Sequence, residues 1–390
     1  MIATSSAGEV AKCATGIQGM DAVIGGGLPA RGLTRGRGNS GAGTSTLSME
    51  FLVQGAREFD EQGLYFSFEE RTQELLTHFA SMGWALPQLV ESDAIRLDEV
   101  GSDRADFRTC RKPGCFDLDA LLSRLEHAMN VADAERVVLD GALEFMLPEY
   151  EDACTAGQEV GRFIRRMKDT NATVLLTCGR ETDEASDLAV AERLSDCVLA
   201  LYKQNSPPGI SDRTLEVRKY RGGSHGDRFY PFTITSDGLS VLPTGSISLE
   251  YGVGDERIST GVPGLDAMLG HAGFYRGAGV LVTGAAGTGK TTLGSGFVES
   301  ACRRGERALY FSFEEPPGEI TRNMQCLGLE LQTWVNHGKL RLEARRPAEQ
   351  GPGGHILDIL REVESFRPQV VVIDPLPSRK EMAPAPGKPC

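Results

Sequence analysis

Gly284-Ala285-Ala286-Gly287-Thr288-Gly289-Lys290-Thr291 is the stretch whose reading decides the fold. It follows the apolar run Gly279-Val280-Leu281-Val282-Thr283 and precedes a helical pattern from Thr291 to Arg303, so it reads as a short buried strand, a glycine-rich loop and a helix. Glycines at 284, 287 and 289 let backbone N–H groups curl around a phosphate, and the helix adds the positive end of its dipole. Lys290 has the reach for β- and γ-phosphates, and the Thr291 hydroxyl suits Mg2+. Thr288 and Thr292 complete the candidate nucleotide contacts of this loop.

The chain repeats itself. Leu64-Tyr65-Phe66-Ser67-Phe68-Glu69-Glu70 recurs residue for residue as Leu309-Tyr310-Phe311-Ser312-Phe313-Glu314-Glu315, 245 positions on. Thr15-Gly16-Ile17-Gln18-Gly19-Met20-Asp21 matches Thr260-Gly261-Val262-Pro263-Gly264-Leu265-Asp266, and Val137-Val138-Leu139-Asp140 matches Val371-Val372-Ile373-Asp374. A period of domain size means a tandem duplication of one α/β unit, not a solenoid. The short apolar runs Ala308–Ser312 and Val370–Ile373 read as buried strands of a mostly parallel sheet, and the spacing within Asp117–Ala132 predicts a helix. Asp374 and Asp140, each ending an apolar strand, are candidate Mg2+ ligands, and Glu314, Glu315, Glu69 and Glu70 are placed to polarise an attacking water.

The first unit's loop is altered. In Gly38-Asn39-Ser40-Gly41-Ala42-Gly43-Thr44-Ser45 the glycines recur and Ser45 can replace the Mg2+ hydroxyl, but Thr44 stands where the lysine should be. A hydroxyl supplies no cation, so this loop (with Thr46 beyond it) is expected to hold nucleotide through its backbone without efficient turnover. Leu33-Thr34-Arg35-Gly36-Arg37 before it reads as a poor central strand, and Arg35 or Arg37 is a conceivable substitute cation.

These motifs, with Tyr230-Pro231-Phe232-Thr233-Ile234-Thr235, resemble the KaiC family of circadian-clock ATPases and autokinases within the RecA-like superfamily, from about Thr15 to Leu376. The resemblance implies tandem RecA-like P-loop domains, ATP with Mg2+, slow hydrolysis, a homo-hexamer with ATP between subunits, and in some members serine/threonine autophosphorylation. It also implies clock or signalling proteins as partners. Lys219, Arg221, Ser224 and His225 match the segment that in such hexamers reaches the neighbouring subunit's nucleotide; Lys219 and Arg221, at i and i+2, share one face of a strand.

The same ruler expects domains at 1–247 and 248–376 and an irregular, proline-rich tail at 377–390. Set against the first, the second domain is short by roughly 90 residues, which reads as truncation or a frameshift in preference to natural divergence to a shortened protein; the resemblance places the family's phosphorylated hydroxyls in that region, so no autophosphorylation site is assigned.

Composition narrows the rest. Lys+Arg 41 against Asp+Glu 54 leaves a net charge of −13, which disfavours nucleic acid and with it a RecA-type recombinase or helicase. No apolar run is long enough to span a bilayer and the N-terminus shows no secretory pattern, so a cytoplasmic protein is expected. Nine scattered cysteines read as inert thiols, with the Cys110 and Cys115 pair as a loop and not half a metal site. Two functional readings lead: a slow ATPase, or a catalytically impaired nucleotide-binding module for assembly or partner docking.

Overall fold

The structure is a computed structural model that describes residues 11–100, 107, 116–150, 152–179, 186–206, 210–223, 226, 228–243, 254–270, 273–346 and 351–376. Ser224, His225, Cys110, Cys115 and the 377–390 tail lie outside the described residues. The chain divides into two compact units, residues 1–204 with 212–247, and residues 248–390 with 205–211.

The first unit is built on a nine-stranded sheet. Its strands are β1 (Leu33–Gly38), β2 (Gly63–Ser67), β3 (Ile95–Glu99), β4 (Arg136–Asp140), β5 (Thr173–Cys178), β6 (Cys197–Ser206), β7 (Ile210–Tyr220), β8 (Phe229–Thr235) and β9 (Gly238–Val241), in the order β9-β8-β7-β6-β1-β5-β4-β2-β3. From β6 to β3 neighbouring strands run parallel, while β8 pairs antiparallel with β7 and β9. The sheet is thus mixed and mostly parallel. Alternate residues serve two cores: Tyr65, Val138, Leu175 and Leu199 pack with Leu47, Phe51 and Leu52 of helix α1 (Thr44–Glu58). Phe66, Leu139, Val174 and Leu176 pack on the other face with helices α2 (Leu118–Ala132) and α3 (Ala153–Lys168). The apolar stripe read over Asp117–Ala132 is that buried face, and Asp117 caps α2 by accepting from the Ala120 N–H at 3.0 Å.

One expectation is overturned here. Leu33–Gly38 is a fully buried central strand, not a poor one. Arg35 and Arg37 point to the α3 face, where helix α4 (Ser186–Leu194) brings Glu192 Oε2 within 3.7 and 3.8 Å of their guanidinium groups. Cys178 Sγ accepts from Arg35 at 3.2 Å and the Tyr202 hydroxyl from Arg37 at 3.5 Å. Paired charge and buried aliphatic stems outweigh the low strand propensity.

The second unit repeats the first over β10 (Ala308–Ser312), β11 (Leu340–Ala344) and β12 (Val370–Asp374), three parallel strands in the order β11-β10-β12. Helix α5 (Lys290–Arg303) covers one face through Val298, Ala301 and Cys302; Ile359, Val363 and Phe366 of helix α6 (Pro352–Phe366) cover the other. The entry turns agree in detail. Asp21 accepts from Thr15 N and Oγ1 at 2.9 and 2.7 Å, and Asp266 from Thr260 N and Oγ1 at the same distances.

Residues 279–283 correct the sequence reading: they form no strand, and Val280, Leu281 and Val282 are 48, 78 and 44% exposed. The cause lies in the first unit, where the equivalent strand is hydrogen-bonded only to β5 and β6. Among the described residues, no strand flanks 279–283 as β5 and β6 flank β1. An apolar run without a ladder on either side does not stay a strand. The same lack leaves Val371 and Ile373 of β12 exposed at the sheet edge.

Two measurements check this account. Arg136 is buried, ion-paired to Glu61, donates to the carbonyls of Phe51 and Ala14 at 2.9 and 2.8 Å, and lies over the rings of Phe51 and Phe59. Arg136→Ala should therefore destabilise the first unit by about 3–5 kcal/mol in urea unfolding. Brief digestion with subtilisin should cut first within 278–286 and spare 33–45, since only the latter segment is locked into a sheet.

Candidate phosphate-binding site

Both loops take the same shape. Gly41 and Gly43 have φ of 73° and 108°, and their counterparts Gly287 and Gly289 have 78° and 89°. Left-handed backbone at these two positions folds the loop back over the helix start, and only glycine adopts it without strain. In the first unit crowding adds a second reason: a Cβ on Gly43 would lie 2.4 Å from Ile234 Cδ1. The segment 230–235 thus packs its Ile234 against the phosphate loop.

Lys290 opens α5, and its ammonium donates to the carbonyls of Gly284 and Ala285 at 2.9 Å each, while the Thr288 hydroxyl donates to Ala285 O at 2.8 Å. The ammonium therefore bridges the start of the loop it would share with phosphate. Thr291 and Thr292 follow in the first helical turn, half-buried. Thr44, Ser45 and Thr46 occupy the same turn of α1. Gly38 and Ser40 lie at the start of the first loop, where a Cβ on Gly38 would meet Thr44 Cγ2 at 3.0 Å.

Parallel pairing brings the carboxylates to the same edge of the sheet as the loops. Ser67 is registered with Asp140, and Ser312 with Asp374. Beyond each serine the chain bends sharply: the Ser67 and Ser312 hydroxyls accept from the N–H of Glu70 and Glu315 at 3.0 and 3.1 Å. In each unit the first glutamate (Glu69, Glu314) is exposed and the second (Glu70, Glu315) half-buried. Glu70 meets His78 Nδ1 at 3.1 Å, and Glu315 accepts from Asn323 at 3.5 Å. Burial raises the Glu144 carboxyl above its ordinary range, with Glu69 and Asp140 adding repulsion.

The aspartates have a partner that motif reading passed over. The Tyr65 hydroxyl donates to Asp140, which also accepts from Thr177; the Tyr310 hydroxyl donates to Asp374 at 2.6 Å. Burial, then the adjacent carboxylate, pushes both phenols well above their usual range, so they stay protonated donors. The signal was present, since the tyrosine sits inside the heptapeptide repeated identically.

Lys219 and Arg221 do share a face. Lys219 donates to the carbonyls of Glu192 and Arg193 at 2.9 and 2.7 Å, Arg221 donates to Arg193 O at 2.7 Å, and Arg221 lies 3.7 Å from Asp196. They close the C-terminal end of α4. Burial and then the Arg221 charge lower the Lys219 ammonium. Because Arg35 and Arg37 turn to Glu192 on the α3 face, neither serves as the substitute cation of the first loop.

Compared with known families, residues 13–246 and 258–385 match the KaiC ATPase. The chain belongs to the KaiC family. Among individual proteins it is 39% identical over 365 residues to the circadian clock protein KaiC2 of Synechocystis sp., covering 94% of this chain but only 63% of that relative's length. It is 35% identical to the circadian clock oscillator protein KaiC of Picosynechococcus sp. and 36% identical to that of Prochlorococcus marinus, covering 70 and 75% of their lengths. The KaiC ATPase family thus matches this chain over two successive segments, and no helix among the described residues is long and apolar enough to cross a membrane.

The remaining residues set limits. Burial pushes the thiols of Cys13 and Cys302 up to about 11 and that of Cys197 to about 12, which leaves them inert, whereas Cys154 and Cys326 are exposed. No group of three His, Cys, Asp or Glu side chains is clustered for a metal among the described residues. A Mg2+ ion in a nucleotide site uses one or two protein oxygens and fills its other positions with phosphate and water. If Tyr310 holds Asp374 for such an ion, Tyr310→Phe should raise the Mg2+ concentration that half-saturates nucleotide binding by about 10-fold, read by titration with a fluorescent ATP analogue.

Proposed function

We propose that this KaiC-family chain is a slow, Mg2+-dependent ATPase whose hydrolytic site is the loop 284–291, and that the first unit holds nucleotide without turning it over. The observation that carries the reading is the pair of loops with matching glycine conformations, one with Lys290 at its mouth and the other with Thr44 in its place. Backbone N–H groups cradle the phosphates in both; only the second adds a cation at the helix start. In that second site Thr291 and Asp374 would hold Mg2+, which neutralises phosphate oxygens when bound. Glu314 and Glu315 orient and polarise the attacking water, and Lys290 steadies the charge that develops on the transferred phosphate. In the first unit Ser45, Asp140, Glu69 and Glu70 take the parallel places.

The clamp reading of Lys219 and Arg221 belongs to the same proposal: in a homo-hexamer they would leave the carbonyls ending α4 for the phosphates of a neighbouring subunit. Serine/threonine autokinase activity is the further extension that relatedness to circadian clock proteins carries, as are clock or signalling proteins as partners.

Turnover of γ-labelled ATP by the chain against Lys290→Ala tests the assignment. Loss of about 100-fold or more is expected, from a removed electrostatic stabiliser, and label retained on the protein would report autokinase activity. Equal rates for the two proteins would sink it. A second reading, a nucleotide-sensitive assembly module without turnover, is favoured by the unpaired segment 279–283 below the intact loop. ATP-dependent oligomers formed with no phosphate release would identify it.

A further inference from the structure

The first unit has a cradle for phosphate and no lysine in it, yet a lysine arrives from elsewhere. Gly38, the last residue of β1, is registered with Leu201 of β6. Beyond that pair β1 gives way to the phosphate loop while β6 continues, so Lys203 runs alongside the loop. It is pinned there by its backbone: Asn39 donates its side-chain amide to Lys203 O at 2.9 Å, and Lys203 N–H donates to Asn39 Oδ1 at 3.0 Å. Its side chain lies over the loop's second glycine, where a Cβ on Gly41 would come 3.4 Å from Lys203 Nζ and 3.7 Å from its Cδ.

Lys203 is half-buried, and its ammonium makes no hydrogen bond or ion pair with a described residue. A second cation flanks the same glycine, Arg213 Nη2 at 3.5 Å from Gly41 O. Two positive groups beside a loop of backbone N–H donors form a field suited to a polyphosphate.

We infer that Lys203, reaching in from the neighbouring strand, is the phosphate-binding cation of the first unit, which takes a nucleoside di- or triphosphate. The inference rests on the reading that the first loop holds nucleotide. It also separates binding from turnover. Lysine at the helix start tracks the transferred phosphate, whereas Lys203 approaches at the middle of the loop and stabilises bound phosphate without a special hold on the transition state. Its flexible four-carbon stem gives the reach.

The test uses the full chain carrying Lys290→Ala and Gly289→Val, which removes the second loop's cation and its left-handed turn. Binding of fluorescent ATP, ADP and adenosine is then measured with Lys203, Lys203→Ala, Lys203→Gln and Lys203→Arg. Lys203→Ala and Lys203→Gln should weaken ATP and ADP by about 10-fold and adenosine by less than about 2-fold, as expected for one charge-assisted hydrogen bond. Arginine should restore most of the loss, and adding Thr44→Lys should make Lys203→Ala nearly silent. ATP bound at one per chain with unchanged affinity in Lys203→Ala would overturn the role of Lys203 and leave the nucleotide reading standing. An equal loss for adenosine and ATP, or a lowered melting temperature, would mark Lys203 as structural and overturn its role. No binding in the Lys203 parent would overturn both readings.

Discussion

The phosphate loop of this fold hangs from a strand that cannot choose its neighbours locally. β1 is followed at once by its loop and helix, yet both strands that hydrogen-bond to it, β5 and β6, come more than a hundred residues later in the chain. The loop's backbone is shaped by its own glycines, but its place in space depends on those late partners. Contacts of this kind form only after a long loop has been closed, so the site is among the last features to be secured on folding.

The two units fall on opposite sides of that constraint. In the first, β1 lies in the middle of nine strands, buried enough to carry two arginines on one face because Glu192 meets both. In the second, the three strands β11, β10 and β12 still sandwich between α5 and α6, but the segment leading to the loop pairs with no described residue. Chemistry and scaffold are therefore divided: the loop with its lysine follows a segment that pairs with no described residue, and the loop without it follows the central strand of a nine-stranded sheet. The tyrosine–aspartate hydrogen bond is common to both because β2 with β4, and β10 with β12, are paired in both.

What was legible in the residues follows the same division. The duplicated heptapeptide, the entry turns, the strand ending in each aspartate and the helix over Leu118–Ala132 are local or repeated, and periodicity suffices to read them. Val280–Val282 misled because an apolar run records a wish for partners, not their presence. Arg35 and Arg37 misled in the other direction: residue-by-residue propensity cannot see a glutamate on a helix some 155 residues away in sequence. Lys203 carries no motif at all. Only the adjacency of β6 and β1 brings it to Gly41.

The close agreement of the two loops in glycine conformation, despite their different settings, has a consequence for how the missing lysine should be weighed. If loop shape depended on the lysine, Thr44 would distort the cradle, and binding and catalysis would be lost together. The shape instead survives the change, so what Thr44 removes is charge at one point. Charge is a long-range quantity and can be returned from a neighbouring strand, whereas the position of a cation relative to the phosphate being transferred cannot. On the proposed function, a unit altered in this way would keep what electrostatics alone can supply, which is affinity, and give up what geometry must supply, which is rate.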